Sequence, residues 1–240
     1  MKEIRYFYVP DAATAAELPA EEAAHAVRVL RMKPGDGMVL MDGKGTFFSA
    51  EVTVASPHHC LYRVVQEMPQ QPQWPGRFHL GMAPTKLMDR TEWMLEKITE
   101  IGIDEVSFLD CANSERRVIK PARLDKILVA AVKQSRKAWK PVMSDMTAFG
   151  RFVSEPRPGM KFIAHCYPEI PRANLFDALR GRDASSEVTV LVGPEGDFTP
   201  DEVRMAVDAG YVSVSLGDSR LRTETAAMVA VMMMHLSVGA

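Results

Sequence analysis

Between residues 78 and 216 the sequence alternates short apolar runs with stretches of helical periodicity, and no other feature narrows the possible folds as far. The runs are Phe78–Met82, Val106–Leu109, Lys161–His165, Val188–Val192 and Val212–Leu216, several of them apolar without a break. A strand that is apolar on both sides has to be covered on both sides, which is the situation of strands in a parallel sheet. Strand alternating with helix therefore predicts an α/β domain whose mostly parallel sheet carries helices on both faces. Ligands of such sheets sit beyond the carboxyl ends of the strands. The loops after Val192 and Leu216 are accordingly the first places to look for a site.

Upstream the rhythm is different. Pro69, Pro72 and Pro75 recur at every third position between Met68 and Gly76. Each fixes φ and removes a backbone donor, so the segment reads as an extended linker rather than as helix or sheet interior. Ahead of it, strand-like runs at Ile4–Val9, Met38–Met41, Thr46–Val54 and Leu61–Glu67 are separated by turns at Lys33-Pro34-Gly35-Asp36 and Asp42-Gly43-Lys44-Gly45. Residues 19–30 look helical, with Pro19 suited to a first turn. Closely spaced strands with glycine turns suggest a small β-barrel. The expected organisation is a barrel domain over 1–68, a linker over 69–77 and an α/β domain over 78–240.

Composition excludes more than it identifies. The 240 residues are 47% hydrophobic and 25% charged, enough to bury a core, and no apolar stretch reaches membrane-spanning length. The N-terminal residues lack the apolar run of a signal peptide. Three separated cysteines, Cys60, Cys111 and Cys166, form no CxxC pair, which fits a reducing cytoplasm and argues against a structural zinc site. No GxGxxG follows the early strands and no GxxxxGK[ST] is present, so neither a dinucleotide nor a nucleotide-phosphate loop has a home. The net charge of −2 means that any surface for nucleic acid is local rather than global.

The loop after Val192 reads Gly193-Pro194-Glu195-Gly196-Asp197-Phe198-Thr199-Pro200-Asp201-Glu202. Thr199, Pro200 and Glu202 fit a helix N-cap, a first-turn proline and a capping-box glutamate, which is a structural role. Gly193 and Gly196 serve equally as turn residues or as places where a ligand approaches the backbone. The second loop runs from Leu216-Gly217 to Leu221-Arg222-Thr223-Glu224-Thr225-Ala226. Thr223 is a plausible N-cap and Glu224 suits the positive end of a helix dipole. Arg222 does not fit that account. A cation near a helix N-terminus points to an anionic partner, such as a carboxylate or a phosphate.

These two loops resemble the paired signatures of RsmE-type methyltransferases, SPOUT-class enzymes that methylate N3 of a uridine in 16S ribosomal RNA of the small subunit. His25 to Arg31 followed by Pro34-Gly35-Asp36 looks like that family's N-terminal PUA-like barrel. Lys86 through Glu100-Ile101-Gly102, Ser114-Glu115-Arg116 and Lys133-Gln134-Ser135 sit where the family has similar runs. The one departure noticed is Asp197, where glycine is more usual. The resemblance implies a C-terminal α/β domain tied in a trefoil knot, a feature that no periodicity could suggest. It also implies a cytoplasmic homodimer acting on 16S rRNA, with no role for DNA or a membrane. S-adenosylmethionine would be bent between the knot loops, lined by Gly193, Pro194, Glu195, Gly196, Leu216, Gly217, Leu221, Arg222, Thr223 and Ala226. The His165-Cys166-Tyr167 loop would form a third wall. The last helix, Met228 to Leu236, is apolar all round and must be buried in the core or against a partner subunit.

Lys86, Arg90 and Lys97 share one helical stripe, and Lys133, Arg136, Lys137 and Lys140 crowd the end of another helix. Such runs are usually solvated faces or dipole complements. With the resemblance, Arg28, Arg31, Lys86, Lys97, Arg116, Lys133 and Arg136 become the expected RNA contacts. Methylating N3 requires loss of its proton, after which the nitrogen is itself the nucleophile, so Cys166 needs no catalytic role. Arg222 would stabilise charge on the uracil oxygens, and Glu195 or Glu224 would take the proton. A non-catalytic RNA-binding protein, a small-molecule α/β enzyme and a SPOUT enzyme with another RNA target are the alternatives left open.

Overall fold

The computed structural model of the chain describes residues 4–238; residues 1–3 and 239–240, at the outer ends of the two expected domains, lie outside the described residues. The chain divides into two compact units, Met1–Gln73 with Val129–Lys140, and Trp74–Leu128 with Pro141–Ala240. Among the described residues no helix is long and apolar enough to cross a membrane.

The first unit contains β1 (Tyr6–Tyr8), α1 (Ala20–Ala24), β2 (Gly37–Met41), β3 (Thr46–Ala55) and β4 (Cys60–Pro69). Helix α1 continues into a wider π-helical turn over His25–Val29, where Leu30 donates its N–H back to the His25 carbonyl at 3.0 Å. The strands form a four-stranded sheet in the order β1-β2-β3-β4, parallel between β1 and β2 and antiparallel beyond. Period-two patterning decides which side chains are buried. Met38 and Leu40 of β2 and Phe48, Ala50 and Val52 of β3 meet Phe7, Leu18, Ala23 and Ala26 in one apolar core. Strand β4 runs further than the proline pattern suggests and ends at Pro69, opposite Thr46. As the last strand on the path, β4 tolerates a residue with no N–H.

The second half of a later helix belongs to this first unit, which the expected boundary at residue 78 did not foresee. The reason lies in its side chains. Lys133 Nζ sits 2.6 and 2.8 Å from the two carboxylate oxygens of Glu22 and 5.9 Å from the centre of the Phe7 ring. Arg136 lies 5.2 Å over the Tyr6 ring. Trp139 fills the space above Gly45, where an added Cβ would come within 2.6 Å of the indole.

The second unit holds β5 (Arg77–Met82), α2 (Met88–Ile101), β6 (Glu105–Asp110), the start of α3 (Pro121–Ser135), β7 (Val142–Met143), β8 (Thr147–Ala148), α4 (Phe149–Ser154) and β9 (Met160–Ala164). It continues with β10 (Ala173–Asn174), α5 (Leu175–Leu179), β11 (Glu187–Val192), α6 (Pro200–Asp208), β12 (Val212–Ser215) and α7 (Thr223–Leu236). Its sheet runs β10-β12-β9-β11-β5-β6-β7, with β8 joined to β6, and the ladders are parallel. Each apolar run read from the sequence is one of these strands. The two-residue strands β7, β8 and β10 were not anticipated, because two residues carry no pattern. Phe78, Leu80 and Met82 of β5 and Val188, Val190 and Val192 of β11 point into one core; Leu191 points into a second on the other face. Both faces of the sheet are therefore covered. Helix α7 seals the first core with Ala227, Ala230, Val231 and Met234, while Met232 and Leu236 on its other side are 41% and 57% exposed.

Lys133 was expected on an RNA surface, but its ammonium is only 23% exposed and is matched to a Glu22 carboxylate that is 12% exposed. Removing it strands a buried charge, which costs about 1–3 kcal/mol or more. Lys133→Ala should therefore lower the melting temperature by roughly 3–8 °C. An unchanged melting temperature in a thermal scan would show that the pair does not hold the unit together.

Candidate functional site

Three parallel strands that lie side by side, β12, β9 and β11, deliver three loops to one end of the sheet. Those loops, with Arg90 from α2, enclose a cavity of about 450 Å³. His165 and Cys166 follow β9; Gly193, Pro194, Glu195 and Gly196 follow β11; Leu216, Gly217, Leu221, Arg222, Thr223 and Ala226 follow β12, and every one of them is in the lining. The sequence pattern that located the strand ends also located this cavity.

The loop after β11 is held by its own polar groups. The capping box is present: Thr199 Oγ1 accepts the Glu202 N–H at 3.2 Å, and Glu202 Oε2 accepts the Thr199 N–H at 2.8 Å. At Gly193 an added Cβ would sit 3.0 Å from the Phe198 nitrogen and 3.1 Å from its ring, so the turn closes too tightly for a side chain. Asp197 adopts φ +63°, in the left-handed region, where Asp and Asn are the better tolerated side chains. Its Oδ2 accepts the Cys166 N–H at 2.7 Å and its Oδ1 accepts the Phe198 N–H at 2.8 Å. Asp197 thus fastens the β11 loop to the β9 loop. Asn113 adds donors to the Gly196 and Asp197 carbonyls at 3.2 and 3.1 Å. Glu195 Oε1 accepts the backbone N–H of Lys86 at 2.8 Å.

The loop after β12 turns on Gly217, whose φ of +114° strains any other residue. The N-cap position of α7 is Arg222, not Thr223 as expected; Thr223 is the first helical residue, and no side chain caps the helix. The backbone is already helical at Thr223, so its hydroxyl cannot reach forward as a cap does. Arg220 and Arg222 are exposed, line the cavity and have no ion pair among the described residues. Glu224, in the first turn, is 8% exposed. Its Oε1 lies 3.6 Å from Arg90 Nη1, and its Oε2 is buried without a hydrogen-bond partner.

The loop after β9 contributes a buried imidazole. His165 is 4% exposed, and its Nδ1 accepts the Tyr167 N–H at 3.3 Å. Burial pushes the His165 pKa below its ordinary value, against the pull of Asp197. The neutral ring accepts at Nδ1 and so carries its proton on Nε2, which is buried and unpartnered. Arg172 Nη1 donates to the His165 carbonyl at 2.6 Å. Burial, reinforced by Asp197, raises the pKa of the Cys166 thiol, which keeps it protonated and unreactive at neutral pH. The cavity therefore offers a buried donor, a buried acceptor and two exposed guanidinium groups.

Sequence reasoning missed Arg172, Asp197 and Arg220 as wall residues, and placed Arg90 only on a cationic stripe. The cations expected to meet RNA are occupied to different degrees. Lys86 Nζ is paired with Glu115 at 2.6 Å, and Arg116 donates to the Lys86 carbonyl at 2.8 and 3.1 Å, so both stand beside Glu195. Lys97 is held by Glu96 and Glu100 at 2.7 and 2.9 Å. In the first unit Arg28 contacts the Pro57 carbonyl and His58 at 3.1 Å each, Arg31 takes φ +52°, Lys133 serves the fold as described, and Arg136 lies over Tyr6 but stays exposed.

A model of the RNA methyltransferase domain matches residues 72–235, and a model of the RNA methyltransferase PUA domain matches residues 18–65. A relative from Mycobacterium bovis, named ribosomal RNA small subunit methyltransferase E, is 31% identical over 238 residues, covering 93% of this chain and 88% of the relative. A crystal structure from Porphyromonas gingivalis, described as a probable rRNA-methyltransferase, superposes with a TM-score of 0.92 at 41% identity, covering 98% of this chain and 99% of that one. A ribosomal RNA small subunit methyltransferase E from Neisseria gonorrhoeae, solved bound to S-adenosyl methionine, gives a TM-score of 0.83 at 26% identity, with 98% of each chain covered.

Asp197 provides a check on the loop geometry. Its left-handed backbone costs about 1–2 kcal/mol for a residue with a Cβ, a cost that glycine escapes. Both Asp197→Ala and Asp197→Gly remove the two hydrogen bonds, but only the alanine keeps the strain. In chemical denaturation Asp197→Ala should be less stable than Asp197→Gly by about 1 kcal/mol. Equal losses would mean that the strain is absent.

Proposed function

The chain belongs to the ribosomal RNA small subunit methyltransferase E family, joining an RNA methyltransferase domain to a PUA domain, and from that membership we propose that it methylates N3 of one uridine in 16S rRNA. The enzyme uses S-adenosylmethionine as methyl donor and small-subunit ribosomal RNA as substrate. We infer further that the α/β unit is knotted, that the N-terminal sheet closes as a PUA-like barrel, and that the enzyme works as a homodimer in the cytoplasm.

The observation that carries the reading is the cavity at the ends of β9, β11 and β12. Its residues fit the donor molecule. The buried His165 Nε2–H lacks an acceptor, which the adenine or ribose can supply. Gly217 has open space where a Cβ would stand, so a ligand can lie against the backbone there, while Gly193 keeps the neighbouring turn closed on Phe198. Arg220 and Arg222 offer guanidinium groups to a carboxylate or a phosphate. When bound there, S-adenosylmethionine supplies an electrophilic methyl group. The chain's own task is to hold the uracil in line with it, exclude water and manage one proton.

Removing the N3 proton places negative charge on the flanking carbonyl oxygens of the uracil. Arg222, exposed at the N-terminus of α7, stabilises that charge together with the amides of the first helical turn. Glu195 and Glu224 are the carboxylates available for the proton. Lys86, Lys97 and Arg116 of the catalytic unit, with Arg28, Arg31 and Arg136 of the PUA unit, supply cations for the RNA backbone. Lys133 joins them only through its exposed fraction.

The test is methyl transfer from labelled S-adenosylmethionine to small ribosomal subunits that lack the modification, followed by nucleoside analysis. Labelled N3-methyluridine is the expected product. Arg222→Ala should lower turnover by about 10²–10³-fold, the usual effect of losing one charge-stabilising donor. Unchanged turnover in that variant would remove Arg222 from the mechanism.

A further inference from the structure

We propose that Glu224 is the carboxylate that takes the N3 proton, with Arg90 as the residue that positions it; this rests on the methylation reading above. The choice follows from what each candidate already binds. Glu195 is committed to the fold, since Oε1 accepts the Lys86 N–H at 2.8 Å and ties the loop after β5 to the cavity wall. Asp197 is committed as well, with both oxygens on backbone N–H groups at 2.7 and 2.8 Å. Glu224 is not. Its Oε2 is buried and unpartnered among the described residues, and Arg90, the cation paired with it there, stands 3.6 Å from Oε1. That distance lets Arg90 orient the carboxylate without saturating it.

Glu224 lines the cavity with a side chain 10% open, and neither of its oxygens takes part in a hydrogen bond among the described residues. What meets its open part must be a donor, because an ionised carboxylate only accepts. The N3–H of uracil is the donor on the reacting edge of the base. In the step, the N3 proton passes to the Glu224 carboxylate, and the lone pair left on N3 forms the bond to the methyl carbon. The electron pair of the broken carbon–sulfur bond stays on sulfur, leaving a neutral thioether, and Glu224 later returns its proton to water. A sulfonium cation and a carboxylate anion thereby become two neutral groups. Such a loss of charge is favoured in a cavity with little water, where separated charges are poorly solvated. The other charged or titratable groups of the same lining are Arg172, His165, Cys166, Glu195, Asp197, Arg220 and Arg222.

Glu224→Gln keeps the shape and removes the basicity. Calorimetry should give S-adenosylmethionine affinity within about threefold of the wild type, while turnover on small subunits at neutral pH falls by about 10²–10⁴-fold. The deficit should shrink as pH rises, because the uracil then loses its proton to solvent. Arg90→Ala should reproduce part of the pH-dependent deficit, and Arg90→Lys should restore turnover. A Glu224→Gln deficit equal at every pH, or a tenfold weaker affinity with unchanged turnover at saturating donor, would overturn the proposal. A wild-type enzyme that labels another atom would instead sink the methylation reading, a result seen before any variant is compared.

Discussion

The neighbourhood of β12, β9 and β11 in one parallel sheet is the constraint from which the site follows. Their residues are far apart in sequence, yet parallel pairing places the carboxyl ends of all three at the same edge. Each loop leaves its strand in the same direction, and the cavity is the space between them. A nearly unbroken apolar run buries β11 on both faces, Phe162, Ile163 and Ala164 bury the end of β9, and β12 is anchored through Val214. The same property that stabilises the sheet thus fixes where the chemistry can occur. Helix α7 extends the coupling, because its buried face seals the core while its first turn brings Glu224 and Thr223 into the cavity wall.

Polar groups around the cavity divide into those that build it and those it presents. Glu202, Asp197, Asn113 and Glu195 spend their acceptors and donors on backbone groups of neighbouring loops. The loops are therefore rigid before any ligand arrives, a condition for electrostatic stabilisation without reorganisation at the moment of reaction. His165 Nε2 and Glu224 Oε2 are left unpartnered in the same lining. The cost of that arrangement is borne by the satisfied residues around it.

Much of this was legible in the sequence, for identifiable reasons. Strands of four or more residues announce themselves by apolar runs, and the capping box at Thr199 by residue types at fixed spacing. Two-residue strands carry no period, which is why β7, β8 and β10 were invisible. The cap of α7 misled, since Thr223 has the right chemistry but lies one residue inside the helix. Long-range pairing was the larger gap. Nothing local says that Lys133 meets Glu22 or that Arg90 meets Glu224, and of the cations read as solvated or RNA-facing Lys133 is mostly buried by such a pairing, while Arg90 and Lys86 keep more of their surface. The net charge of −2 conceals the same division, because it sums cations used in folding with cations left for a ligand.

Asp197 shows how a side chain can be supported on a left-handed stretch of backbone. Glycine meets the left-handed backbone at no steric cost, and aspartate gives that up at about 1–2 kcal/mol. In return its carboxylate accepts two backbone N–H groups, one of them from the adjacent loop. Hydrogen bonds to a charged group contribute about 1.5–3 kcal/mol each, so the pair outweighs the strain. The bond to the Cys166 N–H also ties the β11 loop to the β9 loop, a link that glycine has no side chain to make.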